Sequence, residues 1–149
     1  NLTLALALRV RDAGLPLPTK LVLLSPWTDM TVSGRSATDK PRDDMLITAS
    51  IRKSARDYLA GTDAKAALVS PVFADLRGLP PTLIQVTDTE ILLDDARRLA
   101  EALCKAQVPT ELRVWPGLWH VWPLFAGKMP ESDAAVAEAH AFLERKYAS

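Results

Sequence analysis

His120, one of two histidines in this sequence, stands in an aromatic loop, Pro116-Gly117-Leu118-Trp119-His120-Val121-Trp122. A histidine flanked by aromatics that exclude water suits a general base working near neutral pH. The same position also suits a core-edge histidine with one structural hydrogen bond. Base chemistry at an imidazole wants a carboxylate on its other nitrogen, and VTDTEILLDDARRL offers Asp88, Glu90, Asp94 and Asp95. Asp94 and Asp95 open a helical stretch ahead of Arg97 and Arg98, so they read as first-turn charge with local i, i+3 pairing. Asp88 and Glu90 share parity, and either could orient an imidazole or merely cap a turn. Asp29, after a different apolar run, is the runner-up for that acid.

A Ser-His-acid mechanism also needs a serine on a G-x-S-x-G elbow, whose strained turn exposes the hydroxyl and supplies an oxyanion N–H. The sequence holds no such motif. Gly34-Arg35-Ser36-Ala37-Thr38 lacks the second glycine and follows no strand, so Ser36 reads as a loop serine. Ser25 and Ser70 each precede a proline, which indicates backbone turns. Cys104, the only cysteine, has apolar neighbours in a helical pattern and reads as a small core residue. It excludes an internal disulfide and leaves no Cys/His cluster for zinc. His140 lies mid-helix between Val136 and Leu143, where it packs or snorkels. With no second histidine at ligand spacing, no metal site is expected.

The elements that must carry these residues alternate. Leu2, Leu6 and Val10 share a helical face with Leu4 and Leu8 beside it, predicting a mostly buried helix that stops at Gly14 and Pro16. Lys20 to Pro26 is a continuous apolar run, the pattern of a central parallel strand buried on both faces. Met30 to Arg42 is polar and aperiodic, a long loop. Asp43 and Asp44 then head a helix to about Leu59, built on Ile47, Ile51, Ala55 and Leu59. Pro81 to Val86 predicts a second strand, Ile91 to Gln107 an amphipathic helix, TELRVW after Pro109 a third strand, and Ser132 to Tyr147 a closing helix. This order predicts an α/β layered domain with a parallel sheet. Ligands of such sheets sit beyond the strands' C-terminal ends, where Asp29, the Asp88/Glu90 pair and His120 fall.

Composition narrows the partners. The 149 residues are 48% hydrophobic and 24% charged, suited to one globular domain, and 18 basic residues balance 18 acidic ones. Zero net charge gives no electrostatic case for a nucleic-acid partner. The apolar opening Leu2 to Val10 falls well short of the roughly 20 residues a membrane span needs. A reducing cytoplasm fits the lone cysteine. A second copy of the chain stays open as a homodimer partner.

The sequence resembles the hormone-sensitive-lipase-like branch of the α/β-hydrolases, which includes bacterial carboxylesterases. The resemblance covers nearly all 149 residues through LVLLSPWTDMT, LVSPVFADLRGLPPTLIQV, TEILLDDARRLAEAL and LRVWPGLWHVWPLFA. It implies that Glu90 is the triad acid, a variant where most members have aspartate, that Asp94 is the motif's later aspartate, and that His120 is the family's histidine. The opening Asn1-Leu2 is similar to the residues just past the family's G-D-S-A-G-G elbow. Residues 1–149 are therefore expected to form the C-terminal part of a single α/β-hydrolase domain, with the elbow and the H-G-G-G oxyanion loop upstream. The implied activity is carboxylic ester hydrolysis through a serine acyl-enzyme, on a small-molecule ester of short or medium acyl chain, with no cofactor. Trp119, Val121, Trp122 and Phe125 are placed to wall an acyl or alcohol pocket, or else to pack against a cap. The rival reading is a non-catalytic hydrolase-like module kept for binding or assembly.

Overall fold

The computed structural model describes residues 1–39 and 44–146. Asp43, the stretch 40–42 of the expected loop and the expected closing residue Tyr147 lie outside them. In chain order the elements are α1 (Leu2–Asp12), β1 (Leu21–Leu24), α2 (Ser36–Asp39), α3 (Thr48–Leu59), β2 (Thr82–Thr87), α4 (Leu93–Lys105), β3 (Thr110–Trp115) and α5 (Pro130–Glu144). Single 3₁₀ turns occupy Pro71–Phe73 and Trp122–Phe125.

The three strands form one parallel sheet in the order β1-β2-β3. Every residue of β2 is buried, because helices cover both faces and a strand lies on each side. One face carries Ile84 and Val86, packed with Leu4, Ala7 and Leu8 of α1 and with Leu93, Ala96, Leu99 and Leu103 of α4. Gln85 points the other way, where its side-chain amide donates to the Ala135 carbonyl of α5 at 2.9 Å and to Glu138 at 2.8 Å. A second cluster, Met30, Val32, Ala37, Ile51, Ala55, Ile91 and Leu92, ties α3 and the loop after β1 to the head of α4.

In the three-stranded sheet of the described residues β2 lies between β1 and β3, and β1 pairs with β2 alone. Apolarity on both faces of a strand reports layers above and below it rather than the number of strands at its sides. Other sequence expectations are corrected by the structure. In α1 the inward stripe is Leu4, Ala7 and Leu8, at i, i+3 and i+4, whereas Leu2 and Leu6 are 71% and 64% exposed. Five apolar residues spread round the helix let either stripe be read as the core face. α3 starts at Thr48 rather than at the acids. The Asp44 carboxylate instead accepts the Ile91 N–H at 2.9 Å and the Leu46 N–H at 3.1 Å. The expected long loop contains the single turn α2.

Candidate active site

β2 ends at Thr87, and the next three residues turn beneath the loop after β3. Asp88 N–H continues the strand pairing onto the Trp115 carbonyl at 3.0 Å, so the loop 116–121 starts directly above the turn. Several contacts then hold that loop. The Asp88 carboxylate accepts the Gly117 N–H at 2.8 Å, and Gly117 takes φ 66°, a left-handed conformation that costs glycine little. The hydroxyls of Thr87 and Thr89 both donate to the Leu118 carbonyl. Glu90 meets His120, with Oε2 2.8 Å from Nδ1. Finally, the Val121 N–H donates to the Ser25 hydroxyl at 3.1 Å. Val121 is also left-handed, at φ 51°, an arrangement that costs a β-branched residue roughly 1–2 kcal/mol and needs such anchoring.

Glu90 has no solvent exposure, while the His120 side chain keeps 22%. The buried carboxylate is fully engaged, since Oε1 accepts the Thr87 N–H at 2.9 Å and the Ser25 hydroxyl at 2.7 Å while Oε2 faces the imidazole. A carboxylate only accepts, so Nδ1 carries the hydrogen, and in the neutral imidazole Nε2 is then the acceptor. Among the described residues Nδ1–Glu90 is the one hydrogen bond of His120. Nε2 is thus left to take a proton from another group.

The structure brings Glu90 and His120 together and keeps the other candidate acids away. Asp88 spends its carboxylate on Gly117. Asp94 accepts the Ser36 N–H at 3.0 Å and pairs with Arg97 at 3.7 Å. Asp29, fully buried, accepts from the hydroxyls of Thr31 and Ser33 and from Arg98 at 2.7 Å. Burial alone would raise its pKa, but the two hydroxyls and the guanidinium outweigh it and hold the carboxyl at about 2. His140 is exposed on α5 and takes no part in this contact.

Of the expected pocket residues, Trp119, Val121 and Phe125 keep exposed surface, and Trp119 meets Phe125 edge to face at 5.4 Å. Trp122 does not wall an opening. It is completely buried against Trp115, with ring centroids 5.7 Å apart, beneath the start of α5. The 3₁₀ turn Trp122–Phe125 puts Trp122 and Pro123 inward and Leu124 and Phe125 outward.

Local reading misjudges four residues. Ser25 and Ser36, read as turn and loop serines, are both about 4% exposed. Ser36 donates to the Ile91 carbonyl at 2.7 Å and accepts the Asp94 N–H at 3.1 Å, bracing the acid-bearing turn. Asp95, read as first-turn charge, is buried and accepts the Thr28 and Asp29 N–H groups at 2.8 and 2.9 Å. Burial pushes its pKa up to about 6 against those two bonds. A signal was present, since Asp95, Leu99 and Leu103 share the i, i+4, i+8 stripe that faces the core. Cys104 is exposed rather than part of the core. No group of three or more metal-ligating side chains lies together among the described residues. No helix among them is long and apolar enough to cross a membrane.

A family model described as alpha/beta hydrolase fold matches residues 1–124. The chain is 46% identical over 144 residues to an acetyl-hydrolase of Streptomyces hygroscopicus, covering 96% of this chain and 48% of that protein. It is 36% identical over 147 residues to an esterase of Acinetobacter venetianus, covering 95% and 48%. A crystal structure of an esterase from the bacterial hormone-sensitive lipase family superposes with a TM-score of 0.91 at 42% identity, over 94% of this chain and 48% of that one. The chain spans about half the length of these relatives.

Proposed function

The chain belongs to the α/β-hydrolase fold family, and from that premise we propose that it supplies the histidine and the acid of a Ser-His-acid carboxylic ester hydrolase. The observation that carries this reading is the 2.8 Å contact between buried Glu90 and partly open His120, with Nε2 unengaged among the described residues. The serine and the oxyanion donors come from polypeptide outside these 149 residues, because the sequence holds no G-x-S-x-G elbow.

His120 Nε2 takes the serine proton as the hydroxyl attacks the ester carbonyl, and Glu90 steadies the imidazolium that forms. The same proton then passes to the departing alkoxide, leaving an acyl-enzyme. Water, deprotonated by Nε2, attacks the acyl carbon and releases the acid, and the proton returns to the serine. No cofactor enters these steps. Trp119, Val121 and Phe125 form part of the wall of the ester pocket, and a short or medium acyl chain is the substrate class, in keeping with a relative named an acetyl-hydrolase.

The experiment is turnover of p-nitrophenyl acetate and butyrate by the complete gene product, with fluorophosphonate labelling to find the nucleophile. His120→Ala should lower kcat by on the order of 10²- to 10⁴-fold, and the label should map outside residues 1–149. A label on Ser25, Ser36 or Ser70, or an undiminished His120→Ala rate, overturns the proposal. A complete gene product that binds such esters without turning them over identifies the non-catalytic module instead.

A further inference from the structure

We infer that Ser25 is the positioning residue of the His120–Glu90 pair, its hydroxyl setting the direction of the Glu90 carboxylate and the conformation of the histidine loop together. This rests on the reading of that pair given above. The hydroxyl donates to Glu90 Oε1 at 2.7 Å and accepts the Val121 N–H at 3.1 Å. It therefore touches both the acid and the residue immediately after the histidine, across separations of 65 and 96 residues.

The geometry of Ser25 is imposed by the sheet. Its N–H still pairs with the Gln85 carbonyl at 2.7 Å, so it leaves β1 in register with β2. At φ 46° it then turns into the left-handed region, unusual for serine, with Pro26 behind it. That turn keeps the side chain 4% exposed and aimed between β2's end and the loop. A turn needed only to end a strand would let a serine face solvent.

The consequence is mechanical. The Glu90 carboxylate can rotate about its last bond, and two donors on Oε1, Thr87 N–H and Ser25 Oγ–H, stop it with Oε2 toward Nδ1. Without the hydroxyl, Oε1 keeps one donor, the Val121 N–H loses its acceptor, and both the carboxylate and the imidazole gain freedom. Misplacement of about 1 Å in a catalytic group costs up to about 10²-fold.

The test compares Ser25→Gly and Ser25→Ala in the complete gene product. Alanine removes the hydroxyl alone but keeps a Cβ at φ 46°, whereas glycine accepts that φ without strain and loses Cβ as well, so an effect common to both variants belongs to the hydroxyl. The expected result is a kcat lowered about 10- to 100-fold with KM within about threefold. The low-field NMR resonance of the His120 Nδ1 proton, identified by its loss in His120→Ala, should broaden or move upfield in both variants. Wild-type kcat and an unmoved resonance in Ser25→Gly overturn the assignment. So does loss of folding in both Ser25→Gly and Ser25→Ala, since the hydroxyl would then serve stability. Absence of ester turnover in the unsubstituted protein defeats the functional reading, yet the Nδ1 resonance still decides the part played by Ser25.

Discussion

Glu90 and Asp88 lie two residues apart on the same turn, yet Glu90 meets the imidazole of His120 at 2.8 Å while Asp88 meets the backbone N–H of Gly117 at the same distance. One carboxylate addresses the side chain and the other the main chain of a single loop. Glu90→Gln should therefore lower kcat by on the order of 10²- to 10⁴-fold, because an amide can donate to Nδ1 and favour the wrong tautomer. The fold should survive, since glutamine can still accept from Thr87 and Ser25. The measurement is steady-state kinetics beside a thermal melt, and a loss under about tenfold would remove Glu90 from the mechanism.

Asp88→Ala should behave differently. It strips the Gly117 N–H of its acceptor at an exposed site, so about 0.5–1.5 kcal/mol of stability should go. Turnover should fall less than about tenfold, because the Thr87, Thr89 and Ser25 contacts still hold the loop. Parallel denaturation curves and kcat/KM values for the Asp88 and Glu90 variants would separate anchoring from chemistry.

The two aromatics of the 3₁₀ turn should also part company. Trp122 is fully buried, so Trp122→Ala should cost about 3–5 kcal/mol. Phe125 is 41% exposed and stacks edge-on with Trp119, so Phe125→Ala should cost under about 1 kcal/mol. Its effect should appear in KM for esters. Equal stability losses for the two would refute this division.

Stability should depend on pH through two buried aspartates of opposite sign. Asp29, held at about 2, binds fewer protons folded than unfolded, so its contribution is present above about pH 4 and is lost as pH falls toward 2. Asp95, raised to about 6, binds more protons folded, so it weakens the fold as pH rises from about 4 through 6. The charged neighbours acting on it are Asp29 and Arg98. Asp95→Asn keeps an oxygen for the Thr28 and Asp29 N–H groups and removes a carboxylate that is costly to ionise. The variant should be more stable than wild type at pH 7 by about 1–2 kcal/mol. That advantage should vanish below about pH 4, as urea titrations at both pH values would show.

What the sequence by itself determined is the pattern that repeats along one element. Apolar runs of strand length alternating with helical stripes specify an α/β layering with parallel strands, and they place His120 and the Asp88/Glu90 turn at the same end of the sheet. Even the resemblance that selected Glu90 rests on local motifs. Only the tertiary structure decided where each side chain's partner lies. Asp88 and Glu90 have equal parity, and the pairing of Asp88 N–H with the Trp115 carbonyl sets how the loop sits above them. Ser25 and Asp95 find their partners 65 or more residues away, and β2 lies between β1 and β3 in the described sheet because strand order is a property of the assembled sheet. A periodic pattern encodes which face of an element is buried. A polar group's partner depends on register and turn geometry between elements, which no single segment contains.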